Sequence, residues 1–132
     1  MTAQYKSKPD GARTHRGRTS YHAGVSAEIR VAEDYKRRGY RLVAERWRGT
    51  AGELDLVFSA PDGVVIVEVK QAKSLETAAT RISPRQVERI FSAAMEYVST
   101  LPKGLLTDMR FDAALVDQQG VVRIIENAMR ES

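Results

Sequence analysis

The sequence predicts an α/β fold, a mixed sheet flanked by helices. Three observations carry that expectation: an apolar stripe at helical spacing over 23–38, a hairpin pattern across 53–70, and a strongly signalled helix opening at Ser83. With 132 residues, the chain has room for one domain and little more.

From Ala23 to Arg38, Val25, Ile29, Ala32 and Tyr35 recur every three or four residues, one face of a helix, and Gly39 stands where a C-terminal cap belongs. Tyr40–Trp47 reads as a short strand, followed by a turn at Arg48-Gly49-Thr50-Ala51-Gly52. Glu53–Ser59 alternates more clearly, with Leu54, Leu56 and Phe58 expected on one face and Glu53, Asp55 and Val57 on the other. Pro61-Asp62-Gly63 turns the chain into Val64–Lys70, apolar on both faces until Glu68 and therefore a central strand. Ser83 caps the next helix, Pro84 suits its first position, and Gln86 fits a capping box. Its buried stripe is Val87, Ile90, Phe91, Ala94, Val98 and Leu101, and Pro102 and Gly104 end it. Strands at Arg110–Val116 and Val121–Ile125 complete an α-β-β-β-α-β-β order.

Composition divides the chain. All 30 Leu, Ile, Val and Phe residues fall in 23–132, the expected single folded domain. Residues 1–22 carry Lys6, Lys8, Arg13, Arg16 and Arg18 against Asp10, while the remainder balances 16 basic with 16 acidic side chains. The first segment is thus expected to be a disordered basic arm, either a passenger or a contact for nucleic-acid phosphates. His15 and His22 belong to it. The absence of Cys excludes disulfides, a thiolate nucleophile and Cys-based zinc, and two His residues build no His-rich zinc site. No apolar run exceeds four residues and the N-terminus lacks a signal-peptide pattern, so a cytoplasmic protein is expected.

Charge intrudes on the central hairpin. Asp55 lies between Leu54 and Leu56, Glu68 interrupts a Val/Ile run, and Lys70 follows on the same face as Glu68. Ionisable groups in a central strand need partners, an ion or water. Glu68 and Lys70 have Cα atoms about 6.7 Å apart, and the hairpin brings Asp55's strand alongside. Two carboxylates and an ammonium suit a hard cation such as Mg²⁺ or Mn²⁺ beside a reacting phosphoryl group. A surface Glu68–Lys70 pair and an Asp55–Arg pair are the ordinary alternatives.

Gly24…Glu28, Gly39-Tyr40, Trp47-Arg48, Gly52-Glu53-Leu54-Asp55-Leu56-Val57, Val67-Glu68-Val69-Lys70 and Arg110-Phe111-Asp112, in that order, resemble the YraN family of small bacterial proteins. That family is placed in the restriction-endonuclease-like PD-(D/E)XK nuclease superfamily. The resemblance implies an αβββαβ core. It also implies Asp55, Glu68 and Lys70 as a metal-dependent catalytic trio, and Glu28 as the helix carboxylate of Holliday-junction-resolvase-like members. The implied activity is Mg²⁺-dependent hydrolysis of DNA, branched DNA included. The family usually has a basic residue two positions after the active-site lysine, where this chain has Ala72 with Lys73 next, and often Asn where this chain has Arg46.

Other residues carry two readings each. Glu28 holds a second ion or a metal-bound water, or is a solvent-facing helix carboxylate paired with Arg30 or another nearby basic residue. Gln86 caps its helix, the favoured reading, or reaches the site. Glu53 faces the site or marks the strand entrance, and Asp112 pairs with Arg110 or Arg48 in preference to holding metal. Lys73, Arg81, Arg85 and Arg89 contact phosphates or form solvated faces. Two other function classes fit the residues: a nucleic-acid binder that does not cut, and a protein-interaction domain with a buried charge network. Oligomeric state stays open, a homodimer included.

Overall fold

The computed structural model describes the backbone of residues 15–129 and the side chains of 26–129; the arm expectation for residues 1–14 lies outside the described residues. Helix α1 spans His15–Arg37, so it takes in residues that the composition assigned to the arm. It closes as expected, with Gly39 at φ 97° and the Tyr40 amide reaching back to the Tyr35 carbonyl at 3.1 Å.

Strands β1 (Arg41–Arg48), β2 (Glu53–Ala60) and β3 (Gly63–Gln71) form an antiparallel meander. Chain then crosses over through α2 (Leu75–Ala79) and α3 (Pro84–Val98), and β4 (Asp108–Val116) returns parallel to β3. A hairpin adds β5 (Val122–Ile125) at the edge, giving the order β1-β2-β3-β4-β5. This is the expected mixed sheet between helices. The five residues of α2 are too few to show a period in the sequence.

Two layers sandwich the sheet. Ala27, Val31, Ala32 and Tyr35 of α1 pack on Leu56, Phe58, Val65, Val67, Ala114 and Val116. On the other face, Ile90, Ala93, Ala94, Tyr97 and Val98 of α3 cover Leu54, Val57, Val64, Ile66 and Phe111. Leu54 and Leu56 therefore face opposite layers, contrary to the expected shared face. The alternation breaks at Asp55, beyond the Leu56–Val67 pair that ends the β2–β3 register. β1 is irregular as well. Its register shifts between Leu42 and Ala44, and Arg46 adopts φ 49°.

At the far end of β3, Gly63 pairs with Asp108, and a Cβ there would collide with the Asp108 carbonyl oxygen. Only glycine lets the parallel strands begin this closely.

Asp112 is fully buried beneath α1. Tyr35 Oη donates to its Oδ2 at 2.7 Å, Arg110 donates from Nε and Nη2 at 2.9 Å each, and the Asn127 amide donates at 2.9 Å. The Arg110 pairing fulfils the structural reading of Asp112. One carboxylate so bolts α1, β4 and the C-terminal segment together, while the Tyr35 ring stacks on Phe58 at 4.5 Å. Tyr35→Phe, which removes one of four donors, is expected to cost about 1–2 kcal/mol in urea denaturation. Asp112→Ala, which strands Arg110, is expected to cost about 3–5 kcal/mol. Equal losses would show that the carboxylate does not organise the cluster.

Candidate active site

The site forms where β2 and β3 part. In a regular hairpin the Val69 amide would join the backbone ladder; here it donates to Asp55 Oδ2 at 2.8 Å. The carboxylate thus replaces a backbone acceptor, which explains both the half-buried Asp55 and the broken alternation around it.

Glu68, 6% exposed, lies on the α3 side of β3 with Lys70. Lys70 Nζ is 3.4 Å from Glu68 Oε2, and Gln86 Nε2 of α3 donates to the same oxygen at 2.8 Å. The favoured capping-box reading of Gln86 is corrected here. Ser83 Oγ does accept from the Gln86 amide at 3.2 Å, but the Gln86 side chain turns to Glu68. A buried carboxylate offers an amide donor more than an exposed helix start does. Only this alternative acceptor on β3 distinguishes the two roles, and it is invisible in the local sequence.

Glu28 projects from α1 toward the same region and accepts from Arg46 Nε at 3.1 Å. Its partner is therefore a basic residue on β1 and not Arg30, and with its side chain only 12% exposed it does not face solvent as expected. The left-handed Arg46 lies across from Asp55, just beyond the end of the β2–β3 ladder. Asparagine enters that conformation more readily than arginine does, so the departure noted in the sequence carries a conformational cost. Glu53, half-exposed, pairs loosely with Arg48 at 3.8 Å and stands at the strand entrance.

Desolvation sets the electrostatics. Burial, reinforced by the Asp55 charge, pushes Glu68 up to about 8. Burial raises Asp55 above the ordinary carboxylate range too, against the opposing Val69 amide and Lys70 ammonium. Glu28 is pushed up to about 7, first by burial and then by Asp55, with Arg46 opposing. The Asp55 charge thus raises both Glu68 and Glu28, beyond what burial alone does.

Among the described residues, no three Asp, Glu, His or Cys side chains gather into a metal cage. Asp55 and Glu68 are the kind of donors taken by an ion that uses one or two carboxylates and fills its remaining positions with water and substrate oxygens. Mg²⁺ behaves in that way, whereas an all-protein Ca²⁺ site does not. The residues present, Asp55 and Glu68, fit such an ion.

Lys73, Arg81, Arg85 and Arg89 are all exposed, spread from the exit of β3 to the outer side of α3. Among the described residues, no helix is long and apolar enough to cross a membrane.

The model of the uncharacterised protein family UPF0102 matches residues 27–116, which include every carboxylate of this site. A UPF0102 protein of Roseobacter denitrificans is 57% identical over 120 residues, covering 91% of this chain and 93% of the relative. Another from Ruegeria pomeroyi is 50% identical over 113 residues, covering 86% and 92%. One from Dinoroseobacter shibae is 39% identical over 116 residues, covering 88% and 87%. On the extent of these matches, the chain belongs to the UPF0102 family.

Proposed function

We propose that this protein is a divalent-metal-dependent endonuclease of the PD-(D/E)XK type, hydrolysing phosphodiester bonds of DNA in the cytoplasm, branched DNA included. The observation that carries the reading is the convergence of two desolvated carboxylates, Asp55 and Glu68, from parting strands beside the Lys70 ammonium.

Each residue has a definable part. Asp55 and Glu68 would hold Mg²⁺ or Mn²⁺, which when bound polarises a phosphoryl oxygen and acidifies a water molecule. The Val69 amide fixes one Asp55 oxygen, so the rotamer is set before the ion arrives. Gln86 does the same for Glu68 Oε2 from the opposite layer. Lys70, on the same side of β3, would neutralise charge that develops on the phosphoryl group. Glu28, held by Arg46, faces this region from α1, where it can position water near the ion. A second reading, a binder with a structural charge network, draws on the Lys70–Glu68 and Arg46–Glu28 pairs, which internally neutralise two of the carboxylates.

The titrations give a signed test. Glu68 at about 8 and Glu28 at about 7 both lie above the usual 4.5, so the folded protein binds more protons than the unfolded chain. Their contribution to stability is complete below the unfolded value and is lost as pH rises through 7 and 8. A bound cation offsets that loss. The rise in melting temperature on saturating Mn²⁺ is therefore expected to be larger at about pH 8.5 than at about pH 5.5, and to shrink in Asp55→Asn. A rise that is independent of pH and persists in Asp55→Asn would place the ion elsewhere.

Lys70→Met separates cutting from structure. It keeps the stem's bulk and removes the ammonium, so ion affinity should hold or increase while Mg²⁺-dependent cleavage of branched and duplex DNA falls about 10²–10³-fold. Cleavage at the wild-type rate would return Lys70 to the role of a structural partner of Glu68.

A further inference from the structure

A cavity of about 370 Å³ opens at the carboxyl ends of the parallel strands β3 and β4, on the α1 side of the sheet. Its floor is the end of the parallel register, where Gln71 pairs with Val116 and the Ala72 amide reaches the Val116 carbonyl at 3.1 Å. Gln71 directly follows Lys70, and neighbours on a strand point to opposite faces, so the cavity lies across the end of β3 from the Glu68–Lys70 side. Open α/β sheets commonly bind ligands at the carboxyl ends of their parallel strands.

The lining has a definite chemical character. Arg30 of α1 and Lys73 of the β3 exit contribute cations, and Ser26, Gln71, Gln118 and Gln119 contribute hydroxyl and amide groups. Among the described residues, neither Arg30 nor Lys73 is ion-paired with a carboxylate. Asp117, the acidic residue in the lining, is occupied by its own turn, since one of its oxygens accepts from the amides of Gln119 and Val121 at 2.9 Å each. Gly120 keeps the wall open for the guanidinium. A Cβ there would meet Arg30 Cζ at 2.8 Å, and the residue's φ of 87° favours glycine as well. No aromatic ring lines the cavity among the described residues, so it offers no stacking platform for a base.

We propose that this cavity binds the phosphate backbone of a nucleic-acid strand that passes over the end of β3, with Arg30 and Lys73 as the phosphate contacts and the amide groups on sugar and phosphate oxygens. Ala72 leaves the space, and cations from two separate elements supply the charge around it. The recognition is of backbone, indifferent to sequence and sensitive to salt. The proposal rests on the nuclease reading only for its choice of nucleic acid as ligand, and it requires no cleavage.

The test is fluorescence anisotropy with a labelled oligodeoxynucleotide, single-stranded and duplex in separate arms, in EDTA and across a salt series. Arg30→Gln and Lys73→Gln are each expected to weaken binding several-fold. Each should also flatten the slope of log affinity against log salt by about 0.7 for the single strand or about 0.9 for the duplex. Gln119→Glu, at an exposed turn position, places a competing carboxylate at the cavity and should weaken binding with an unchanged melting temperature. Arg41→Gln, an exposed cation at the start of β1, should leave affinity and slope unaltered. Unchanged slopes in both cavity variants, an equal loss in Arg41→Gln, or a wild-type protein that binds neither oligonucleotide would overturn the proposal. Absence of Mg²⁺-dependent cleavage by the wild-type protein would instead remove the nuclease assignment and leave this binding site standing.

Discussion

The arrangement of this protein depends on one substitution of partners: a side-chain carboxylate takes the place of a backbone carbonyl at the parting of β2 and β3. The Val69 amide would be an unsatisfied donor where the ladder ends, and Asp55 satisfies it at 2.8 Å. That bond lets two strands separate without leaving a buried polar group unpaired. Separation in turn gives Glu68 room on one face, leaves the end of β3 accessible on the other, and reverses which layer Leu54 joins. A central strand with unbroken pairing on both sides would have been more stable and chemically inert.

Around this opening the structure restrains each acidic group by a different element. Asp55 is held by its neighbour strand, Glu68 by α3 through Gln86, and Glu28 by β1 through Arg46. Asp112, more deeply buried than any of them, is saturated with four donors and ties layers together. The contrast separates two uses of a buried carboxylate. One has all its lone-pair sites spent on protein donors. The others keep fewer protein donors and are raised toward neutrality, Glu68 and Glu28 first by burial and then by the Asp55 charge.

Much of this was legible from residue pattern. β3 reads as central because it is apolar on both faces, Gly39 and Ser83 mark helix ends, and of the two partners the sequence offers Asp112, Arg110 and Arg48, the structure takes Arg110. Asp55, Glu68 and Lys70 were singled out because charges in an apolar hairpin demand a reason. What pattern could not reveal were choices made in three dimensions. Gln86 satisfies the local rule for a capping box, and only the approach of α3 to β3 offers it a better acceptor. Leu54 and Leu56 have the spacing of a shared face, and only the break at Asp55 sends them apart. α1 reaches back to His15 through residues whose polarity reads as an arm, because helical continuity across that stretch owes nothing to apolar periodicity. The cavity under Arg30 joins three segments distant in sequence, so no single motif could signal it.

Arg46 has a consequence for the evolution of the site. Its left-handed backbone is a standing conformational debt at a non-glycine residue, while its guanidinium anchors Glu28. Asparagine, the residue that the resemblance places at this position, would ease the backbone and release the carboxylate. Selection for robustness and selection for the orientation of Glu28 therefore act on one codon in opposite directions. Chains of this family that lack the arginine must restrain their helix carboxylate by some other donor, or let it turn freely toward whatever cation comes near.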